Sequence, residues 1–181
     1  MVALSTSTVV SGYYREAVST TDRTPKPSVR EPVSARDPRL RGWRALLIAH
    51  AMLMRRLEEE LRAEADMSIV EYSALLQLAE APERRKRMAE LADGMIVTRG
   101  GITRLIERLE ADGLVERGPC ASDGRGTEAI LTDTGLDRLR SASRVHLRSI
   151  DDYYFEQVSE EDQATIGRVM GDIIEGLRLE R

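Results

Sequence analysis

The sequence is poor in the side chains that bind metals or form crosslinks. Its 181 residues include one cysteine, Cys120, and two histidines, His50 and His146. One cysteine excludes an intrachain disulfide framework, and with two scattered histidines it offers no zinc-ligand spacing. No apolar run approaches the roughly 20 residues of a membrane span. The first residues also lack the charged, apolar and small-residue succession of a signal peptide, which predicts a cytoplasmic location away from membranes. Paired carboxylates in an apolar setting, a Ser, His and Asp constellation and a phosphate-cradling glycine loop are missing as well. The expectation is a protein without metal or cofactor that is not an enzyme. Positive charge is not in excess either, the net charge being −4. The local patch matters more than the total for nucleic-acid binding. Basic residues gather mid-chain, in "RRKR" at 84–87 and at Arg99, Arg104, Arg108, Arg117 and Arg125, while residues 160–180 are acidic.

With 41% hydrophobic and 32% charged side chains, the chain fits one globular domain plus a tail. Residues 1–36 carry Pro25, Pro27 and Pro32 and no apolar face, the pattern of a disordered arm. From Leu40 the apolar spacing changes to 3 and 4. Leu40, Trp43, Leu47, His50, Met54, Leu57 and Leu61 form one stripe of a long helix. Ser68 and Glu71 then make a capping box, with Met67 and Tyr72 as a staple, so a second helix starts at Ser68 or Ile69 and ends near Pro82. "RMAELADGM" reads as a short third helix ended by Gly94. A fourth is capped by Thr98, buries Ile102, Leu105, Ile106 and Leu109, and stops at Gly113 with Leu114 folding back on Leu109. "LVERG" and "EAILT" are strand-like and are joined by the polar loop "PCASDGRGT", giving a hairpin with a long tip. Thr132 caps a long helix with apolar Leu136, Leu139, Leu147, Ile150 and Tyr154. Ser159 caps a last one with Ile166, Val169, Ile173 and Leu177 on one face.

Two helices joined by a tight turn at Gly94 and followed by a hairpin outline a winged helix-turn-helix, whose second helix enters the major groove. That placement gives a reason for Gly100 and Gly101 in the first turn of the fourth helix: without side chains, the backbone amides can approach a phosphate. For Gly101 the alternative is close packing against the preceding helix. The outward residues are Arg99, Thr103, Arg104 and Arg108. Arg104 and Thr103 are assigned to base readout, and Arg99 and Arg108 to phosphates. At the hairpin tip, Arg125 is placed to reach a minor groove and Asp123 to brace an arginine. The "RRKR" run is read as an additional phosphate contact.

The stretch from "RMAELADGMIVTRGGITRLIERLEADGLVERG" through "SDGRGTEAILTDTGLDRL" resembles the MarR family of transcriptional regulators. The family's wing signature stands here as Asp123, Arg125, Leu131, Thr132 and Gly135, and Gly124 replaces a first wing arginine. The expected fold is mainly α with a small β-hairpin wing. Residues 37–178 make a MarR-like domain, in which 66–132 form the winged lobe and 38–64 with 133–178 form long N- and C-terminal dimerisation helices. The resemblance implies a homodimer on double-stranded DNA at a pseudo-palindromic operator. It further implies a repressor relieved by a small effector, often phenolic and anionic, bound between the dimerisation helices and the lobe. Trp43, His50, Met54 and Tyr72 are the pocket candidates. Cys120 is weighed as an oxidant sensor on the expectation of loop exposure, with Arg117 as the activating cation. The alternative function is a winged-helix protein-interaction module without sequence-specific DNA binding.

Overall fold

The computed structural model describes residues 34–95, 99–120 and 126–179. The expected arm falls almost wholly outside this set. Helix α1 runs Leu40–Ala65 and buries only its C-terminal end, at Leu57, Leu61 and Ala65. Helix α2, Ile69–Glu80, begins where its sequence requires. The Ser68 hydroxyl accepts from the Glu71 amide at 3.2 Å, and the Glu71 carboxylate accepts from the Ser68 amide at 2.8 Å, so two amides that lack helical partners are satisfied reciprocally. Tyr72, Ala74, Leu75, Leu76 and Leu78 of α2 are buried, making it the central helix of the lobe.

A departure from the sequence reading follows α2. Residues Arg85–Arg87 of the basic run form a strand, β1, in a three-stranded antiparallel sheet of order β1-β3-β2. Strands β2, Val115–Pro119, and β3, Thr127–Leu131, form the expected hairpin, with Val115 opposite Leu131. On the far side of β3, Arg85 pairs with Ile130 and Arg87 with Glu128. Three consecutive charged residues carry no strand signal of their own; the unpaired edge of β3 supplies it.

Helix α3, Met88–Met95, does not stop at Gly94. A Cβ at that position would lie 3.0 Å from Gln77 Cδ and clash with Gln77 Oε1. Gly94 thus lies within the last described turn of α3, where its missing side chain leaves room for the Gln77 amide of α2. Helix α4, Arg99–Ala111, turns Ile102, Leu105, Ile106 and Leu109 inward. It ends at Gly113, whose φ of 69° is left-handed; the Leu114 amide donates to Leu109 O at 2.8 Å and the Gly113 amide to Glu110 O at 3.0 Å. These are the two bonds of a Schellman stop.

Thr132 then joins wing, α4 and the next helix, α5, Asp133–Tyr153. Its amide donates to Leu114 O at 3.1 Å, and its hydroxyl accepts from the Gly135 amide at 2.9 Å as the N-cap of α5. A Cβ on Gly135 would overlap Leu114 O and lie 2.9 Å from Leu114 C, so the close crossing at this corner requires glycine. The inward row of α5 is Gly135, Leu139, Ala142, Ser143, His146 and Ser149. Leu147, an apolar position of the same helix, is exposed. Helix α6, Glu160–Leu179, starts at the Ser159 cap, where the Asp162 amide donates to Ser159 Oγ at 3.2 Å. The core gathers Leu61, Met67, Leu75, Leu91, Ile106 and Leu139 between the lobe and the ends of α1 and α5. No helix among the described residues is long and apolar enough to cross a membrane.

Candidate nucleic-acid interface

Helix α4 has two faces of opposite character. With its apolar row buried, Gly100, Gly101, Thr103, Arg104 and Arg108 are left exposed on the outward side. Nothing lies within 4 Å of where a Gly100 Cβ would be, so packing gives no reason for that glycine. Arg108 is 65% exposed and reaches Glu71 at 3.6 Å, a long surface pair of small energetic weight. Burial pushes the Glu71 carboxyl up, but the Ser68 amide and hydroxyl and the Arg108 charge outweigh it and leave the group lowered. Thr98, the Arg99 side chain, Asp123 and Arg125 lie outside the described residues.

The surrounding charges fix α4 to the sheet. Arg117 on β2 pairs with Glu110 at 2.5 Å and Glu107 at 3.9 Å, both on α4. The basic run is occupied internally: Arg84 bonds Asp133 at 2.8 Å, Arg85 lies 3.5 Å from Glu83 and 3.6 Å from Glu128, and Lys86 donates to Gln77 Oε1 at 2.8 Å. Its first duty is to hold β1 in place.

Cys120 departs from the expectation of an exposed thiol. It is buried, and its Sγ donates to Glu128 Oε1 at 3.2 Å. The neighbour is an anion, whereas Arg117 turns away to α4. Exposure, the first condition for oxidant sensing, is therefore unmet, and Arg117 does not serve as the activating cation.

A cavity of about 340 Å³ opens between α1, α2 and α5. His50 and Met54 line it from α1, Tyr72 from α2 and His146 and Ser149 from α5. Trp43 does not reach it; that side chain is 55% exposed, two turns nearer the N-terminus of α1 than His50. The sequence reading missed His146, whose ring centroid lies 4.5 Å from that of Tyr72. The signal was present as the row Leu139, Ala142, Ser143, His146 and Ser149, but its small and polar members hid it from a search for apolar spacing. Burial holds the His146 imidazole below its ordinary range. Behind the wall, Ser149 Oγ donates to Glu60, which also accepts from Tyr153. These two hydroxyls, aided by Arg148, keep the Glu60 carboxyl low despite some desolvation.

The comparisons with known proteins agree with this architecture. The MarR family profile matches residues 65–126, from the end of α1 into the wing. The HTH-type transcriptional repressor YetL of Bacillus subtilis is 30% identical over 124 residues, 68% of this chain and 74% of its own length. The chain belongs to the MarR family. Among solved structures of MarR-family transcriptional regulators from Streptomyces coelicolor, Sco3205 in complex with DNA is 35% identical with a TM-score of 0.75. That match covers 83% of this chain and 93% of Sco3205. AbsC, at 28% identity and the same TM-score, is covered over 99% of its length and 81% of this one. The protein is thus a winged-helix transcriptional regulator of the MarR type.

Proposed function

We propose that the protein is a homodimeric, sequence-specific DNA-binding repressor that is released from its operator by a small molecule and has no enzymatic role. The observation that carries this reading is the outward row of α4, in which Gly100, Thr103, Arg104 and Arg108 are exposed on a helix whose other face is buried in the lobe core. Arg104 and Thr103 read base edges, since an arginine fork matches guanine and a threonine methyl fits thymine. Thr98, Arg99, Gly100, Gly101 and Arg108 position the helix on phosphates, and Arg125 reaches for a minor groove while Asp123 braces an arginine.

Apolar surface left uncovered by the chain's own core supports the dimer. Trp43, Leu47 and Ile48 on α1 and Ile173, Ile174 and Leu177 on α6 are all exposed. A second copy meeting these faces about a two-fold axis places two α4 helices on successive major grooves, with half-sites about 34 Å apart. The cavity between α1, α2 and α5 lies where the dimer arms meet the lobe, so its occupant is placed to shift the spacing of the two α4 helices. YetL is named a repressor and Sco3205 was solved with DNA, which supports the same reading here.

The test is a fluorescence titration of the protein on DNA from upstream of its own gene at several salt concentrations. Affinity is expected to fall steeply with salt, as phosphate contacts release counterions. Arg104→Ala is expected to weaken binding by about 1–3 kcal/mol and to relax sequence preference. Weak binding that is indifferent to sequence and unchanged by Arg104→Ala would replace this reading with the protein-interaction module.

A further inference from the structure

We infer that the cavity between α1, α2 and α5 selects an uncharged aromatic molecule bearing a hydroxyl and rejects the corresponding carboxylate. The inference rests on the effector reading of this cavity and adds to it the charge state of the occupant. A volume of about 340 Å³ is at the small end of the roughly 300–1,000 Å³ of small-molecule sites. Its described wall contains no lysine or arginine. A buried carboxylate would therefore lose its hydration without gaining a fixed cation.

The polar groups of the wall favour the same class. Ser73 Oγ donates to Ile69 O at 2.7 Å, and Ser149 Oγ is within 2.9 Å of Val145 O as well as bonded to Glu60, so these hydroxyl protons point into the protein. What they leave toward the cavity is acceptor capacity. His146 is only 9% exposed, and its Nδ1 has no hydrogen-bond partner among the described residues. A buried polar atom left unsatisfied is costly, and a ligand that pairs with it recovers that loss. An uncharged hydroxyl both donates and accepts and satisfies either imidazole tautomer; a carboxylate only accepts. Tyr72, tilted against His146, supplies an aromatic face beside that nitrogen.

The experiment is isothermal titration of the full-length protein, without DNA and at neutral pH, with methylparaben and its parent acid para-hydroxybenzoate. A hydroxynaphthoate and its methyl ester serve as a larger pair. Each ester is expected to bind at least about tenfold tighter than its acid. Methyl benzoate, which lacks the hydroxyl, is expected to bind more weakly than methylparaben, and His146→Phe to abolish that difference while retaining the ring stacked on Tyr72. Equal or tighter binding of the acids overturns the inference while leaving an effector site in place. If neither pair binds, both the inference and the effector reading fall, whereas operator binding is decided separately by the DNA titration. The ester-to-acid comparison uses the unaltered protein and does not depend on the folding of the variant.

Discussion

At the scale of single residues, His146 is the most consequential side chain outside α4. An imidazole enclosed by Tyr72, Ser149 and the apolar cavity wall resists protonation, which is why its pKa lies below the ordinary value. In the unfolded chain the same residue takes up a proton near its usual pKa of about 6.5. The unfolded state therefore binds more protons once the pH falls below that value, and stability drops with it. The other titratable groups of the described wall are His50, Tyr72 and Tyr154. We expect urea midpoints to fall between about pH 7.5 and pH 5.5, and to fall less in His146→Phe. An equal fall in both proteins would place the responsible group elsewhere. Cys120 makes the opposite point about reading residues singly. Its sequence neighbours suggest an exposed loop thiol, but packing places it inside, donating to Glu128.

Among the elements, the informative feature is the corner where α4, the wing and α5 meet. Gly113 ends α4 in a left-handed conformation, the Leu114 carbonyl accepts from the Thr132 amide, and Gly135 passes against that same carbonyl. The orientation of the wing relative to α4 is thus set by backbone contacts that tolerate no added side chain. Gly135→Ala is expected to destabilise the protein by about 1–3 kcal/mol in urea unfolding, because the inserted methyl must displace backbone. A loss under about 0.5 kcal/mol, ordinary for surface substitutions, would show that the corner relaxes. The caps at this corner and at the start of α2 were legible in the sequence because Gly113 with Leu114, Thr132 with Gly135, and Ser68 with Glu71 act within a few residues of one another. Strand β1 was not. Arg85, Lys86 and Arg87 have no strand pattern, and their conformation comes from pairing with residues more than forty positions away on β3.

For the whole molecule, the question is what covers the outer helices. Ile48 is 61% exposed and Leu177 62%, more than a folded chain gains by leaving such side chains in water. Burying them against a second copy makes association and folding mutually dependent. The pair Ile173→Glu and Leu177→Glu is expected to shift the protein to a monomer in sedimentation velocity and to weaken DNA binding by more than tenfold, since one lobe then reaches only one half-site. A variant that still sediments as a dimer would move the interface off α6.

The sequence by itself determined the order of helices, the caps at Ser68, Thr132 and Ser159, the stop at Gly113, the hairpin and the separation of α4 into an apolar and a basic face. All of these follow from contacts between residues close in the chain or from one periodic pattern. Only the tertiary structure decided that the basic run is a strand, that Gly94 serves packing, that Cys120 is buried, and that Trp43 stands apart from a cavity in which His146 and Ser149 face His50 and Tyr72. Those outcomes depend on which distant segments meet, and side chains without an apolar signature carry no record of their neighbours until the core has formed.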